Sequence, residues 1–353
     1  MKVLSEKDIL KKARKSIGSL LSDISFINLL ETRSKVRIDN KQVDLVLNTL
    51  VSGKPAKFFI EIKSQGEPRL VRLAIAQLKG YLKDRKDSYG ILVAPYLSDA
   101  SRQICKEAGV GCIDLAGNAF LSFKSIYVDK SGTPNPFAVS RISKSVFSPK
   151  SSRILRVLLS VPSKRWYVED MSREAGISIG LTSRVKQALL AQEWIKEENK
   201  SFFLIKLEEV LDQWVSNYSY QKNLGFSFYS GLGDEELETA VKKECKKRGY
   251  RYGLALFSGA RKVAPFVRFM KFFSYIEGNI EEIATSLQLK KVESGANVIL
   301  LRPYDEGVFY GLQNVSGIFV VSDIQLYLDL KSYKGRGEEA AQAILEERIK
   351  PKR

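Results

Sequence analysis

The sequence predicts a mixed α/β protein with more than one domain, and three observations support this fold class. Short apolar segments of strand length alternate with amphipathic helical segments through residues 5–123. Three short helical patterns and a hairpin pattern follow in residues 148–206. The chain of 353 residues is long enough for two or three domains, each with its own core. We therefore expect an α/β domain, a helical module and a second mixed α/β region.

The N-terminal domain is organised around two neighbouring strands, residues 42–47 and 57–63, with a loop between them. The first strand carries Asp44, and the second carries Glu61 and Lys63 on one face, two residues apart. These three side chains form a compact cluster if the strands pair in register. Two carboxylates suit Mg²⁺ or Mn²⁺, and a nearby lysine can orient a water molecule. The alternatives are a hairpin with solvated charges or a structural ion pair.

A helix predicted over residues 69–84 adds two residues to this pattern. Gln77 and Tyr81 lie four residues apart, on or beside its apolar side. A buried amide requires hydrogen-bond partners, and this one would find them if the helix packs beneath the acidic cluster.

Together, Asp44, Glu61-x-Lys63 and Gln77-x-x-x-Tyr81 resemble the RecB-like branch of the PD-(D/E)XK nucleases, although Val43 stands where that family has proline. The resemblance implies a Mg²⁺- or Mn²⁺-dependent site that cleaves DNA phosphodiesters. In it, Asp44, Glu61 and the backbone carbonyl of Ile62 hold the metal, Lys63 positions water, and Gln77 and Tyr81 support the site. Either Glu6 or Glu31 could add a ligand.

The remaining elements of this domain follow from apolar patterns and turn residues. Asn118 follows Gly117, and a tight turn is the favoured account of both, with a substrate contact by Asn118 as the alternative. We expect helices over 5–22 and 99–108, strands over 36–39, 89–94, 110–115 and 119–123, a domain boundary at residue 130, and a Ser/Pro/Gly-rich linker over 131–147.

Residues 148–206 have the pattern of a winged helix-turn-helix. Helices are expected over 151–159, 168–175 and 178–192, followed by a hairpin with its tip at 198–200. A protein-binding module is the alternative. Polar and basic residues at positions expected to be exposed could contact phosphates and base edges; they are Ser178, Thr182, Ser183, Arg184, Lys186, Gln187 and Lys200.

Residues 207–353 are predicted to form a mixed α/β C-terminal domain. Strands are expected over 255–257, 298–301 and 317–321, and helices over 235–248, 279–287 and 337–348. Several segments resemble the AbiEi-type antitoxin family: 320–330, 336–341, 263–266 and 114–118. That resemblance implies transcriptional autoregulation and opposition to a toxin, usually a nucleotidyltransferase.

Composition narrows the range of functions. The chain has no histidine, which excludes histidine-based catalysis and histidine zinc ligands, and its three cysteines indicate neither a disulfide framework nor a zinc site. The net charge of +17 is uneven, at +11 over 1–147, +5 over 148–206 and +1 over 207–353. The excess of positive charge in residues 1–206 favours a polyanionic partner such as nucleic acid.

We therefore expect a cytoplasmic DNA-binding protein of prokaryotic defence or toxin–antitoxin type with a Mg²⁺-dependent nuclease-like site. The alternative is a catalytically silent antitoxin or repressor that binds operator DNA and counteracts a nucleotidyltransferase toxin. Double-stranded DNA and a cognate toxin are the expected partners, a homodimer remains open, and no apolar segment is long enough to span a membrane.

Overall fold

A computed structural model describes residues 6–38, 41–136, 146–264 and 271–350, with side chains from residue 9 onward. The chain forms two compact units. The first comprises residues 1–140 with 191–193, and the second comprises residues 141–190 with 194–353. Both combine helices with mixed sheets, which confirms the α/β class. Most of the predicted linker, residues 137–145, lies outside the described residues.

The described residues of the first unit form seven strands and three helices. In chain order they are α1 (Glu6–Ser22), β1 (Ile27–Ile38), β2 (Lys41–Val51), β3 (Lys54–Ile62), α2 (Pro68–Leu82), β4 (Ser88–Ala94), α3 (Asp99–Glu107), β5 (Gly111–Asp114), β6 (Ala119–Phe123) and β7 (Ile126–Lys130). The strands form one sheet in sequence order, with β3, β4 and β5 parallel and all other neighbours antiparallel.

Two strands are longer than the sequence predicts. Most of the loop expected between residues 47 and 57 is strand, because the hairpin turns within Ser52 and Gly53, which both have positive φ (51° and 74°). The strand expected over 36–39 begins at Ile27, and Asp39 lies outside the described residues. Most of β1 is exposed on both faces, so its sequence lacks the apolar alternation that marks a half-buried strand.

Helices cover both faces of this sheet. One apolar cluster packs α1 against the sheet through Ala13, Ile17 and Leu21, and the other packs α2 and α3 against the opposite face. Alternation along β2 predicts that Val43, Leu45 and Leu47 share one face of the sheet. Leu45 and Leu47 pack together on the α1 side, but Val43 packs on the α2 side, so the alternation is interrupted at Asp44.

The turn between β5 and β6 is structural. Asp114 and Asn118 are both buried, and the Asp114 carboxylate accepts backbone hydrogen bonds from Ala116, Gly117 and Asn118 at 2.9–3.0 Å. Gly117 has a φ of 106°, which favours glycine, and the Asn118 side chain bonds the backbone of Thr133 in both directions. The tight-turn interpretation is confirmed.

From residue 149, the second unit has three helices followed by a short hairpin. They are α4 (Pro149–Ser160), α5 (Val168–Ala175), α6 (Ile179–Ala191), β8 (Ile195–Glu198) and β9 (Ser201–Leu204). Each helix lies within two residues of its expected bounds. The α5 helix ends at Gly176, whose φ of 62° closes the helix in the left-handed conformation. Asn199 and Lys200 form the hairpin tip with positive φ (50° and 65°).

The rest of this unit is a seven-stranded mixed sheet with helices. Its elements are α7 (Leu207–Asn217), β10 (Leu224–Tyr229), α8 (Asp234–Arg248), β11 (Arg251–Leu254), α9 (Leu256–Val263), β12 (Phe272–Glu277), α10 (Ile280–Ser286), β13 (Lys290–Lys291), β14 (Val298–Arg302), β15 (Gln313–Val315), β16 (Ile318–Val320), α11 (Asp323–Lys331), α12 (Gly337–Ile344) and a π-helical turn (Leu345–Ile349). Strand order is β13-β10-β14-β12-β11-β16-β15.

One predicted strand in this sheet is wrong. Residues 255–257 do not form a strand, because Ala255 caps the start of α9 and the strand β11 precedes it. A short apolar run does not distinguish a buried strand from a buried helix by periodicity. The expected helix over 337–348 is present in two parts, α12 and the π-helical turn.

The helical module and the C-terminal sheet share one core. A single cluster of buried apolar residues runs from Val146 in front of α4 to Ile349 in the last helical turn. It includes residues of α4, α6, β9 and α11, such as Leu155, Val185, Phe202 and Leu328. The predicted boundary at 206/207 therefore does not separate two hydrophobic cores.

Candidate functional site

The five residues of the nuclease-like pattern lie together at the end of β2 and β3. The last paired residues of these strands are Leu45 and Ile60, so Asp44 and Glu61 stand one step beyond the ladder on adjacent strands. There the Asp44 Oδ2 atom accepts a hydrogen bond from the Ile62 backbone amide at 2.8 Å. Side chains at opposite positions of neighbouring strands lie close enough to interact. The strand ends thus bring two carboxylates into one place.

Glu61 is buried and incompletely paired. Its Oε2 atom accepts from the Lys63 ammonium at 3.1 Å, whereas Oε1 is buried without a hydrogen-bond partner among the described residues. Burial raises the pKa of the Glu61 carboxyl, the negative charge of Asp44 raises it further, and Lys63 acts in the opposite direction. A cation beside Oε1 would offset both burial and repulsion.

Lys63 is held between a carboxylate and an amide. Its Nζ atom donates to Glu61 Oε2 at 3.1 Å and to Gln77 Oε1 at 2.7 Å. The ammonium is half-buried, while Gln77 is exposed on α2. The helix therefore fixes the lysine side chain at the surface of the cluster, where a water molecule or phosphate can reach it.

Tyr81 joins the same helix to the strand that carries Asp44. It is buried, and its hydroxyl donates to the backbone carbonyl of Gln42 at 3.1 Å, two residues before Asp44. Burial raises the pKa of Tyr81 well above its usual range, and the nearby charges of Glu61 and Asp44 act in the same direction. Tyr81 therefore remains protonated and serves as a hydrogen-bond donor.

The cluster supplies some, but not all, of the oxygen ligands that a hard divalent cation needs. Asp44 and Glu61 offer carboxylate oxygens, and the partnerless Glu61 Oε1 is the observation that favours an ion there. Among the described residues, however, no three acidic, cysteine or histidine side chains group around one point. A third ligand would have to be a backbone carbonyl, as predicted for Ile62, or water.

Of the two further acids considered, Glu31 is not near this cluster. It lies on β1 opposite Asn48, which is four residues along β2 from Asp44, or about 13 Å at the usual strand rise. Its carboxylate instead accepts from Arg33 at 2.7 Å and from Asn48 at 3.0 Å. The side chain of Glu6 lies outside the described residues.

The residues predicted to contact DNA divide into an exposed and a buried group. Ser178, Ser183, Arg184 and Gln187 are exposed on or next to α6, and Lys200 is exposed at the hairpin tip. Thr182 and Lys186 are buried, which corrects their expected exposure. The Thr182 hydroxyl donates to the Ser178 carbonyl at 3.1 Å, and Lys186 pairs with Glu197 of β8 at 2.5 Å.

The buried face of α6 is wider than the sequence predicts. The expected apolar side is Leu181, Val185, Leu189 and Leu190; Val185 and Leu189 are buried and the other two are half-buried, but Thr182 and Lys186 are buried as well. A lysine can bury its aliphatic stem when its ammonium finds a partner, here Glu197 and the face of the Phe202 ring at 5.7 Å. Lys186 thus attaches the hairpin to α6 and is not available to DNA.

Sequence reasoning missed other surface features of this module. Tyr167 before α5 and Ile179 at the start of α6 are large side chains that are about half exposed (51% and 54%). A concavity of about 500 Å³ lies at the turn between these helices, and its lining includes Lys150, Arg173 and Ser178. No sequence signal marks these positions, because an apolar residue at a helix start is usually part of a core.

Comparison with protein families assigns the C-terminal part of the chain. Residues 203–350 match the family described as "Transcriptional regulator, AbiEi antitoxin, Type IV TA system". These residues are therefore similar to an AbiEi-type antitoxin domain, over less than half of the chain. The AbiEi-type resemblance is thereby confirmed for this region. The 114–118 segment lies outside the match, and residues 265 and 266 of the 263–266 segment lie outside the described residues.

Solved structures similar to part of this chain include the following three, each at 17% sequence identity. A repair endonuclease from Pyrococcus abyssi matches 29% of this chain and 46% of its own, with a TM-score of 0.22. EndoMS in complex with double-stranded DNA matches 28% and 42%, also at 0.22, and a protein of unknown function matches 52% and 99% at 0.24.

The chain spans less than half the length of the first two structures. No curated protein matches the sequence. Within the described parts of the chain, no helix has the length and apolar character that a membrane span requires.

Proposed function

We propose that this protein is a DNA-binding regulator of toxin–antitoxin type whose first unit carries a divalent-metal-dependent nuclease site. The AbiEi-type domain supports the regulatory class. The observation that supports the nuclease site is the buried, partnerless Oε1 of Glu61 beside Asp44, with Lys63 and Gln77 at its edge. We infer that these residues act on phosphodiester bonds of DNA, with Mg²⁺ or Mn²⁺ as cofactor.

In this proposal, each residue has a separate role. Asp44, Glu61 and the carbonyl of Ile62 would hold the ion, which supplies charge neutralisation at the phosphate and a lower pKa for attacking water. Lys63 would donate a hydrogen bond to that water, and Gln77 would keep the ammonium directed outward. Tyr81, through the Gln42 carbonyl, would hold the Asp44 strand end in place.

A catalytically silent regulator is the second candidate, and one contact favours it. Lys63 already pairs with Glu61 and Gln77, which is also how a purely structural ion pair would be built. In that case the first unit serves as a basic surface for DNA, since residues 1–147 carry +11 of the +17 formal charges. The toxin expected from the family would then bind the C-terminal domain.

Cleavage of supercoiled plasmid with Mg²⁺ or Mn²⁺ distinguishes the two candidates. We expect the wild-type chain to nick or linearise the plasmid, and Lys63→Ala to lose cleavage while it still binds the ion, because the lysine acts on water. Glu31→Gln is the matched control, since Glu31 lies away from the cluster. Metal binding without cleavage of duplex, single-stranded or modified DNA would favour the silent regulator.

DNA recognition is tested separately at α6. Arg184 is exposed there, next to the exposed Ser183. If the Arg184 guanidinium forms two hydrogen bonds with one base, Arg184→Ala should weaken binding to a preferred duplex by about 1–3 kcal/mol. Binding to a random duplex should weaken less. Lys186→Met is the internal comparison: it should lower stability without changing specificity. An unchanged preference in Arg184→Ala would contradict base readout by this residue.

A further inference from the structure

A polar segment of the C-terminal domain, Asp305–Tyr310, forms hydrogen bonds with α4, the first helix of the helical module. Arg153 of α4 donates through Nε and Nη2 to the two carboxylate oxygens of Asp305, at 2.8 and 2.7 Å. Its third nitrogen, Nη1, donates to Glu306 at 2.6 Å. The side chains of Arg153 and Asp305 are both about nine-tenths buried, with 10% and 7% exposed. A buried bidentate ion pair of this kind fixes the orientation of the guanidinium as well as its distance from the carboxylate.

The same guanidinium reaches the turn that precedes α6. Nη1 of Arg153 lies 3.4 Å from the carbonyl oxygen of Gly176, the residue that closes α5 in the left-handed conformation. This carbonyl is at the negative end of the α5 dipole, where a cation is stabilising. Two residues later the chain enters Ser178 and α6. Arg153 therefore connects Asp305 and Glu306 to the turn of the helix-turn-helix.

Two neighbouring contacts extend this attachment. The backbone of Gly307 packs so closely on the Arg153 stem that a Cβ atom there would stand 2.9 Å from Arg153 Cγ. The hydroxyl of Tyr310 donates to Glu174 of α5 at 2.8 Å. The segment from Asp305 to Tyr310 thus contacts α4 and α5, and Arg153 extends this attachment to the turn between α5 and α6. None of these residues belongs to the exposed face of α6.

We propose that Arg153 is a positioning residue for DNA readout, through which the Asp305–Tyr310 segment of the antitoxin domain sets the orientation of α6. This inference rests on the proposed DNA binding and adds its control by the C-terminal domain. Arginine is required because lysine has a single donor head and cannot bond both Asp305 oxygens and the turn at once. Glu306, also bonded to Arg251 at 3.4 Å, joins this attachment to β11.

The test uses the full chain and a duplex that the wild type selects from a random-sequence library. We expect Arg153→Met and Arg153→Lys to reduce the ratio of specific to random-duplex affinity about tenfold, which is about 1.4 kcal/mol. Glu306→Gln, at a half-exposed site, should reduce it less and remain folded. Arg261→Met is the matched control, because Arg261 also bridges two acids, Asp234 and Glu238, on α8.

Hydrogen exchange provides a readout that does not depend on DNA. Amides of residues 176–184 should exchange faster in Arg153→Met than in Arg261→Met, after both are normalised to their global stability. Unchanged exchange there, or an equal loss of specificity in Arg261→Met, overturns the positioning role. A wild-type chain without sequence preference would overturn the proposed DNA recognition instead, while the exchange result still decides whether Arg153 holds the turn.

Discussion

Both units bury carboxylates, and one from each unit, Asp329 and Glu61, differ sharply in how their oxygens are hydrogen-bonded. Asp329 in the second unit accepts from the hydroxyls of Tyr218 at 2.5 Å and Tyr275 at 3.0 Å and from the Gln325 amide at 2.8 Å. Glu61 in the first unit accepts from Lys63 at 3.1 Å, and the Tyr81 hydroxyl also acts to lower its pKa, but its Oε1 has no hydrogen-bond partner among the described residues. Burial raises the pKa of both groups.

The charged residues near Asp329 and Glu61 explain why their hydrogen bonding differs. Arg156 donates to Gln325 at 2.6 Å and so supports the Asp329 network with a positive charge, whereas Asp44 adds a second negative charge beside Glu61. A completely bonded acid in a core indicates a structural role. An acid left short of partners beside another acid, at a strand end, is the arrangement on which the proposed metal site depends. Burial alone does not distinguish them.

The largest expected effect is on stability, at Asp329. Asp329→Ala should destabilise the second unit by about 3–5 kcal/mol, because it leaves the buried hydroxyls of Tyr218 and Tyr275 without their acceptor and removes one of the two acceptors of the Gln325 amide. Chemical denaturation measures this, with Glu61→Gln as the comparison in the first unit. A cost below about 1 kcal/mol for Asp329→Ala would contradict the structural interpretation of this network.

The pH dependence of stability should show the next largest effect. Burial raises the pKa of Asp329 to about 7, so the folded state binds more protons than the unfolded state between about pH 4 and pH 7. Stability should therefore fall as pH rises through this window. Asp329→Asn should remove that part of the slope in denaturation curves recorded across the window. An unchanged slope would mean that Asp329 does not titrate there.

Glu61→Gln should act in the opposite direction to Asp329→Ala. The raised pKa of Glu61 means that its ionised form costs stability at neutral pH in the absence of a divalent ion. Removing the charge should therefore stabilise the first unit, by up to about 1 kcal/mol, since the lost ion pair with Lys63 offsets part of the gain. Destabilisation under metal-free conditions would show that the Lys63 pair dominates.

The smallest effect on stability should come from Gln77→Ala. Gln77 is exposed, and surface substitutions of this kind usually change stability by within about 0.5 kcal/mol. If Gln77 serves to direct Lys63, plasmid cleavage should nevertheless drop clearly while the melting temperature stays unchanged. Equal retention of cleavage and stability would remove Gln77 from the proposed site.

The sequence predicted the cluster of the first unit better than the surface of the second, for physical reasons. Asp44, Glu61, Lys63, Gln77 and Tyr81 lie on two adjacent strands and the helix that follows, so strand alternation and helix spacing nearly determine their proximity. The exposed face of α6 depends instead on packing against a hairpin and a distant core. Lys186 is buried because Glu197 supplies a partner, and no local pattern reveals that.

Other features depend on contacts distant in sequence. The attachment of Arg153 to Asp305 joins residues 152 positions apart, and the Asp329 network joins α11 to Tyr218 and Tyr275. The hydrophobic periodicity of the sequence predicts neither the Arg153–Asp305 pair nor the Asp329 network. The long strand β1 was missed because an edge strand exposed on both faces needs no apolar residues. Turn chemistry alone could have shortened the predicted loop, since Ser52-Gly53 suits a two-residue hairpin turn.

Calorimetric titration of the full chain with Mn²⁺ tests the central claim that the strand ends of the first unit form a metal site. We predict saturable binding by the wild type and by the control Glu31→Gln, with loss of that binding in Asp44→Ala and in Glu61→Gln. Binding should also raise the melting temperature of the wild type through mass action. No saturable binding by the wild type, or binding unchanged by Asp44→Ala, would contradict the account.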